Sequence, residues 1–299
     1  MALTKDLRPR MFRAKSTGVR FSHLLLIGLV VHGAAGLARS QSVSKPRTIV
    51  IHHGALKLRA LLWMPRGRGP FPAVQFSVGS GQNPSPQILG PRFARHGYVF
   101  LSLFRQGQGL SADQGEESSV SVRRERAANG DDAANRLQLR LLENEELGAE
   151  LSGLEYLRSL PNVDPQRVAI VGHSFGGSLA LLLAESDKSL RAVISFGGAA
   201  ASWPRSSYLR DRLMTAANNL ITPVFFIYTA NEYSVTAGEV LAAALARQGK
   251  PHRLKIFPAF GKSAAEGHNL IYLAPSKWER EVFEFLDQHL SSSKGTRRS

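Results

Sequence analysis

The chain has 299 residues, 43% of them hydrophobic and 20% charged, which is ordinary for a globular protein and long enough for one large domain with a sizeable core. The absence of cysteine excludes disulfides and thiolate metal sites. The net charge of +15 suggests nucleic-acid binding only until it is located: residues 1–40 carry seven Lys/Arg against Asp6, Lys294, Arg297 and Arg298 crowd the end, and the remaining +6 shows no basic helix with interleaved aromatics. We therefore expect no nucleic-acid partner.

The first forty residues read as an export signal. A basic stretch (Arg8, Arg10, Arg13, Lys15, Arg20) precedes the apolar Leu24–Val31, and Gly33–Ser40 supplies small residues, with Ala38 and Ser40 spaced like a cleavage site. The apolar run is short for a membrane span, so residues 1–40 are expected to be removed and 41–299 to be the functional domain. An uncleaved N-terminal anchor is the alternative. Either way the domain is expected outside the cytoplasm, periplasmic or secreted, with no stable membrane insertion after cleavage.

From Arg47 onward, short apolar runs alternate with helical patterns, the signature of a mostly parallel sheet with helices on both faces. Thr48–Ile51 and Leu56–Met64 form an opening hairpin that turns at His53-Gly54, and the Gly/Pro-rich 65–72 is a loop. Ala73–Val78 is the next strand, followed by a helix around Gln87–His96 and a strand at Tyr98–Leu103. Residues 105–135 break the rhythm, being rich in Gly, Ser, Gln and charge. They read either as a lid over the site or as solvated surface. Apolar residues at helical spacing (Leu137, Leu141, Leu147, Leu151, Leu154, Leu157) predict a helix from Asn135 to Leu160, terminated by Pro161–Pro165. Strands at Arg167–Val171, Arg191–Phe196, Pro223–Tyr228 and Arg253–Phe257 bring the total to eight, and Pro275–Leu290 is a terminal helix.

The strand Arg167–Val171 runs into Gly172-His173-Ser174-Phe175-Gly176, then into a small-residue helix expected from Gly177. Gly-x-Ser-x-Gly carries meaning in this strand–turn–helix context, where the serine hydroxyl is pushed out above the sheet edge and the glycines remove side chains that would collide at the bend. A serine hydroxyl needs a base, and the base an orienting carboxylate, and here they are expected after the serine in the order acid, then histidine. Glu232 lies just past the seventh strand, with Asp211 as its rival. His268 lies in a Gly-rich loop after the last strand, whereas Glu266 is too close in sequence to reach its ring, and His173 packs beside the turn. For the developing oxyanion, Phe175 offers one N–H, and either Gly79 or Ser80, in the turn Val78-Gly79-Ser80-Gly81, offers a second.

Three segments carry a resemblance: 163–177 around the serine, Thr229–Ser234 around the acid, and Gly267-His268-Asn269. Over residues 47–290 the chain resembles the α/β-hydrolase superfamily, in its dienelactone-hydrolase-like and prolyl-oligopeptidase-like branch. Phe104–Ser111 is also similar to the Arg-x-Gly-x-Gly-x-Ser loop of that family, in which Arg105 would be structural. The resemblance implies an eight-stranded, mostly parallel sheet. It departs from the family where Glu232 replaces the usual Asp, where Val78 replaces a His before the oxyanion glycine, and where Ser174 replaces the Cys nucleophile of the dienelactone hydrolases proper. The expectation is a serine hydrolase that cleaves small carboxylic esters through an acyl-enzyme, using Ser174, His268 and Glu232 and no cofactor. Peptide or amide cleavage, and an inactive fold used for binding, are the alternatives.

Overall fold

The computed structural model describes residues 45–291. The expected signal peptide and the basic tail lie outside the described residues. Among the described residues no helix is long and apolar enough to cross a membrane.

Eight strands form one sheet in the order β1-β2-β4-β3-β5-β6-β7-β8. They are β1 (Arg47–His53), β2 (Leu56–Trp63), β3 (Phe71–Ser77), β4 (Val99–Leu103), β5 (Val163–His173), β6 (Ala192–Phe196), β7 (Val224–Thr229) and β8 (His252–Phe257). Strand β2 pairs antiparallel with β1 and with β4, and every pairing from β4 to β8 is parallel. The central strands are buried on both faces, so they read as continuous apolar runs rather than alternating ones.

The two faces divide by the two-residue period of a strand. In β5, Val168 and Ile170 point into one core with the helices α3 (Leu147–Ser159), α4 (Phe175–Ser186), α5 (Ser207–Asn219) and α6 (Thr236–Arg247). Ala169 and Val171 point into the other, with α1 (Gly90–Arg95) and the C-terminal α9 (Pro275–Leu290). Helix α4 is apolar nearly all round, with nine of its twelve residues buried. It lies against the sheet centre and fixes where β5 hands over to a helix.

Three expected boundaries move. Strand β5 begins at Val163, because Phe71 pairs with Val163 and a register shift absorbs Asp164–Arg167. Helix α4 begins at Phe175, two residues early, since the Ser174 carbonyl already accepts from the Gly177 and Ser178 N–H groups. The polar 105–135 is not one irregular segment: a short 3₁₀ stretch at Gly109–Gln114 leads into α2 (Ser118–Leu141), which turns at Gly130 (φ 82°). A π-helical turn at Leu142–Glu146 joins α2 to α3 and rotates Glu146 and Glu150 into the protein interior.

Candidate active site

Ser174 sits between β5 and α4 with φ 57° and ψ −119°, a conformation that costs a non-glycine residue strain. The neighbours make that bend possible. A Cβ on Gly172 would lie 2.0 Å from the Gly176 carbonyl oxygen, and one on Gly176 would lie 2.1 Å from that of Ser77. Only glycine fits at either position. The Ser174 N–H is tied across to the Phe196 carbonyl at 2.8 Å, so the bend is anchored to β6.

Glu232 and His268 meet. Glu232 stands in the turn after β7, its N–H bonded to the Thr229 carbonyl at 3.1 Å. His268 Nδ1 is hydrogen-bonded to Glu232 Oε1, and the two side chains are 9% and 2% exposed. That bond leaves Nε2 as the open ring nitrogen, and His268 and Ser174 line the same cleft. No hydrogen bond joins Ser174 Oγ to His268 in the structure. Gly197 (φ 55°) passes so close to the pair that a Cβ there would sit 2.9 Å from His268 Nδ1 and 3.0 Å from Glu232 Oε1.

His268 is not in an irregular loop, as expected, but is the last residue of a one-turn helix, α7 (Ala264–His268). An N-terminal cap holds the turn: Ser263 Oγ accepts from the Glu266 N–H, and the Glu266 carboxylate accepts from Ser263 Oγ and from the Lys262 N–H just before the cap. Glu266 is thereby occupied away from the imidazole. Asp211 lies exposed within α5, and its carboxylate makes no bond to His268.

Two residues that the sequence left in the background hold this pair in place. Asn231 donates to the Phe260 and Ser263 carbonyls (2.8 and 3.0 Å) and accepts from the Phe260 N–H (2.9 Å), pinning the segment before His268 onto the turn that carries Glu232. His173, buried at 5% exposure, donates Nε2–H to the His268 carbonyl at 2.8 Å. Burial and the neighbouring His268 pull its pKa down to about 3, so His173 stays neutral and serves as a fixed donor. An Asn after a strand, or a His inside the serine motif, is too common a sequence feature to have marked either role.

The candidate oxyanion donors are oriented by their own peptide units. In a trans peptide the C=O and N–H point opposite ways. The Ser174 carbonyl points down α4, so the Phe175 N–H points out of the helix start, where such groups are unpaired. Gly79 lies directly alongside: a Cβ on it would be 3.3 Å from Ser174 Cβ. The N–H groups of Phe175, Gly79 and Ser80 have no acceptor among the described residues.

The cleft over Ser174 encloses about 990 Å³. Ile88, Tyr233 and Leu273, all 40% exposed or more, form an apolar rim. A smaller cavity of about 110 Å³ adjoins it, bounded by Phe175 and Ser80 on one side and by Val122, Arg123 and Asn135 of α2 on the other. Among the described residues no group of three or more His, Asp or Glu is placed to hold a metal ion.

Known proteins agree with this architecture. The sequence model of the Dienelactone hydrolase family matches residues 59–290. No curated protein matches the chain. Among solved structures, Pyrococcus horikoshii acylaminoacyl peptidase superposes with a TM-score of 0.63 at 18% identity, over 85% of this chain and 43% of that one. The chain thus spans less than half the length of that peptidase. A Pyrococcus furiosus esterase gives 0.59 at 13% identity, over 82% of this chain and 91% of the esterase. A puromycin-hydrolyzing peptidase of Mycobacterium tuberculosis gives 0.59 at 18%, over 83% and 40%. At such identities the likeness shows the fold, and the family match adds the rest: the chain belongs to the dienelactone hydrolase family, built on the α/β-hydrolase fold.

Proposed function

We propose that this hydrolase cleaves carboxylic esters through an acyl-enzyme formed on Ser174. The observation that carries the reading is the Glu232–His268 pair, nearly buried and facing the cleft that Ser174 enters from a strained strand-to-helix bend. His268 Nε2 takes the Oγ proton as Oγ attacks the ester carbonyl carbon. The carbonyl electron pair moves onto oxygen, where the N–H groups of Phe175 and of Gly79 or Ser80 receive it. Collapse expels the alcohol, which takes the proton from His268. Water then repeats the sequence and releases the acid. Glu232 holds the imidazole tautomer and stabilises the imidazolium, and no step draws on a metal or organic cofactor.

The partner is a small-molecule ester. The adjoining cavity of about 110 Å³ supports a short acyl group, since it begins at the donors Phe175 and Ser80 and closes against α2. The open cleft with its apolar rim supports a bulkier alcohol. The signal-like first forty residues favour an enzyme that works in the periplasm or outside the cell.

A fluorophosphonate should label the wild-type protein stoichiometrically and leave Ser174→Ala unlabelled. Acetyl and butyryl p-nitrophenyl esters should turn over at least ten times faster than the octanoyl ester. Turnover of aminoacyl anilides without turnover of any acyl ester would replace esterase by amidase. An intact wild type that resists labelling would leave a binding protein on a hydrolase fold.

A further inference from the structure

The segment 105–117 lies under the oxyanion turn and grips it from behind. Arg105 is 1% exposed. Its guanidinium is paired with Glu146 and, at 2.9 Å, with Glu150, and the two carboxylates keep it charged against the pull of burial. Nη1 also donates to Ser77 Oγ at 3.3 Å and to the Val78 carbonyl at 3.0 Å, and Nη2 donates to the Gly79 carbonyl at 3.3 Å. Gln108, also 1% exposed, donates Nε2 to the Gly79 and Gly81 carbonyls at 3.0 Å each. Glu117 completes the hold by accepting from the Gly81 N–H at 3.0 Å.

Those carbonyls belong to particular peptide units. The Val78 carbonyl shares its peptide with the Gly79 N–H, and the Gly79 carbonyl shares its peptide with the Ser80 N–H. Fixing each carbonyl on the buried side turns each N–H to the opposite side, where Gly79 lies against Ser174. Hydrogen bonds from a buried cation also polarise the peptide they reach, which makes its N–H a stronger donor. Arg105 further lies over the Phe175 ring, 5.5 Å from its centre, so it touches both donor segments. Gln108 Oε1 is buried with no partner among the described residues, a desolvation cost that its apolar replacement would remove. The amide is thus kept for its nitrogen.

We propose that Arg105 and Gln108 are positioning residues of the oxyanion hole, aiming the Gly79 and Ser80 N–H groups by clamping the carbonyls of the same two peptides. The inference rests on the serine-esterase reading. It assigns to the 105–117 stretch the support of the donors, in place of the purely structural part expected of Arg105.

The test uses Gln108→Met, which keeps volume and loses the donor, and Arg105→Lys, which keeps charge and loses the fork. Active sites are counted by the end point of fluorophosphonate labelling, so that misfolded protein drops out. Per active site, kcat for a short p-nitrophenyl ester should fall about tenfold in Gln108→Met and about a hundredfold in Arg105→Lys, with KM within twofold, the loss of one whole donor being worth about 10²–10³. Affinity for a trifluoromethyl ketone, whose adduct carries the oxyanion, should fall in parallel with kcat. Variants that are less heat-stable but keep kcat per site and ketone affinity would overturn the proposal, whether one variant folds or both do. Should the wild type itself resist labelling, the esterase reading falls and takes this one with it. A labelled wild type beside unaffected variants sinks the positioning role alone.

Discussion

At the residue scale the sharpest expectation concerns the acid. Glu232→Gln keeps the shape of the side chain but cannot stabilise an imidazolium, so kcat should fall about 10³–10⁴-fold while far-UV circular dichroism stays the same. Asp211→Asn, on the exposed side of α5, should leave kcat within twofold. The opposite pattern in steady-state kinetics would remove Glu232 from the mechanism. His173 supplies a pH signature. Its folded-state pKa of about 3 lies below the ordinary value near 6.5, so the unfolded chain binds a proton there that the native state refuses. Stability contributed by neutral His173 is therefore complete above pH 6.5 and is lost as pH falls toward 3. His173→Gln retains a donor for the His268 carbonyl but does not titrate. Urea midpoints measured from pH 4 to 7 should fall less steeply with acid in that variant than in wild type.

Among the elements, the strand-to-helix bend has the least freedom. Gly172 and Gly176 face backbone oxygens at 2.0 and 2.1 Å from where a Cβ would stand, and backbone cannot move aside as a side-chain tip can. Gly172→Ala or Gly176→Ala should cost about 3 kcal/mol or more, read as a lowered thermal midpoint or as loss of soluble protein. The same bend was legible in the sequence because its glycines flank the serine at fixed spacing. The stretch 105–135 was not legible in that way. Its composition is that of solvated surface, and indeed only three of the 24 residues of α2 are buried, with surface ion pairs such as Arg124–Glu116 nearby. What composition concealed is that Arg105, Gln108 and Glu117 are buried there and each has its partner on another segment. A charged residue within a polar run carries no sign of being inside.

For the molecule as a whole, the two cores on either side of the sheet share its strands, so damage to one is felt at the site. Trp278 of α9 is fully buried, packs edge-on against Phe196 at 5.3 Å, and donates Nε1–H to the Ile271 carbonyl at 3.1 Å. It therefore supports both the end of β6 beside Ser174 and α8 (Leu270–Leu273), which follows His268. Trp278→Ala should lower unfolding free energy by about 3–5 kcal/mol in urea titrations.

The sequence by itself determined the alternation of eight apolar strands with helices, the bend that carries Ser174, and the order of serine, acid and histidine. These are local patterns, because strand burial, turn glycines and chain order each leave a mark within a few residues. Tertiary structure alone decided that Glu232 rather than Asp211 reaches His268, that Glu266 is spent on a cap, and that His173 and Asn231 brace the imidazole. It also decided that Arg105 and Gln108 bond to the carbonyls of the turn after β3, at Val78 and Gly79. Each of these is a contact between residues that lie far apart in the chain or compete for one partner. Such contacts depend on how the strands are ordered and how the loops close over them, and no window of sequence contains that information.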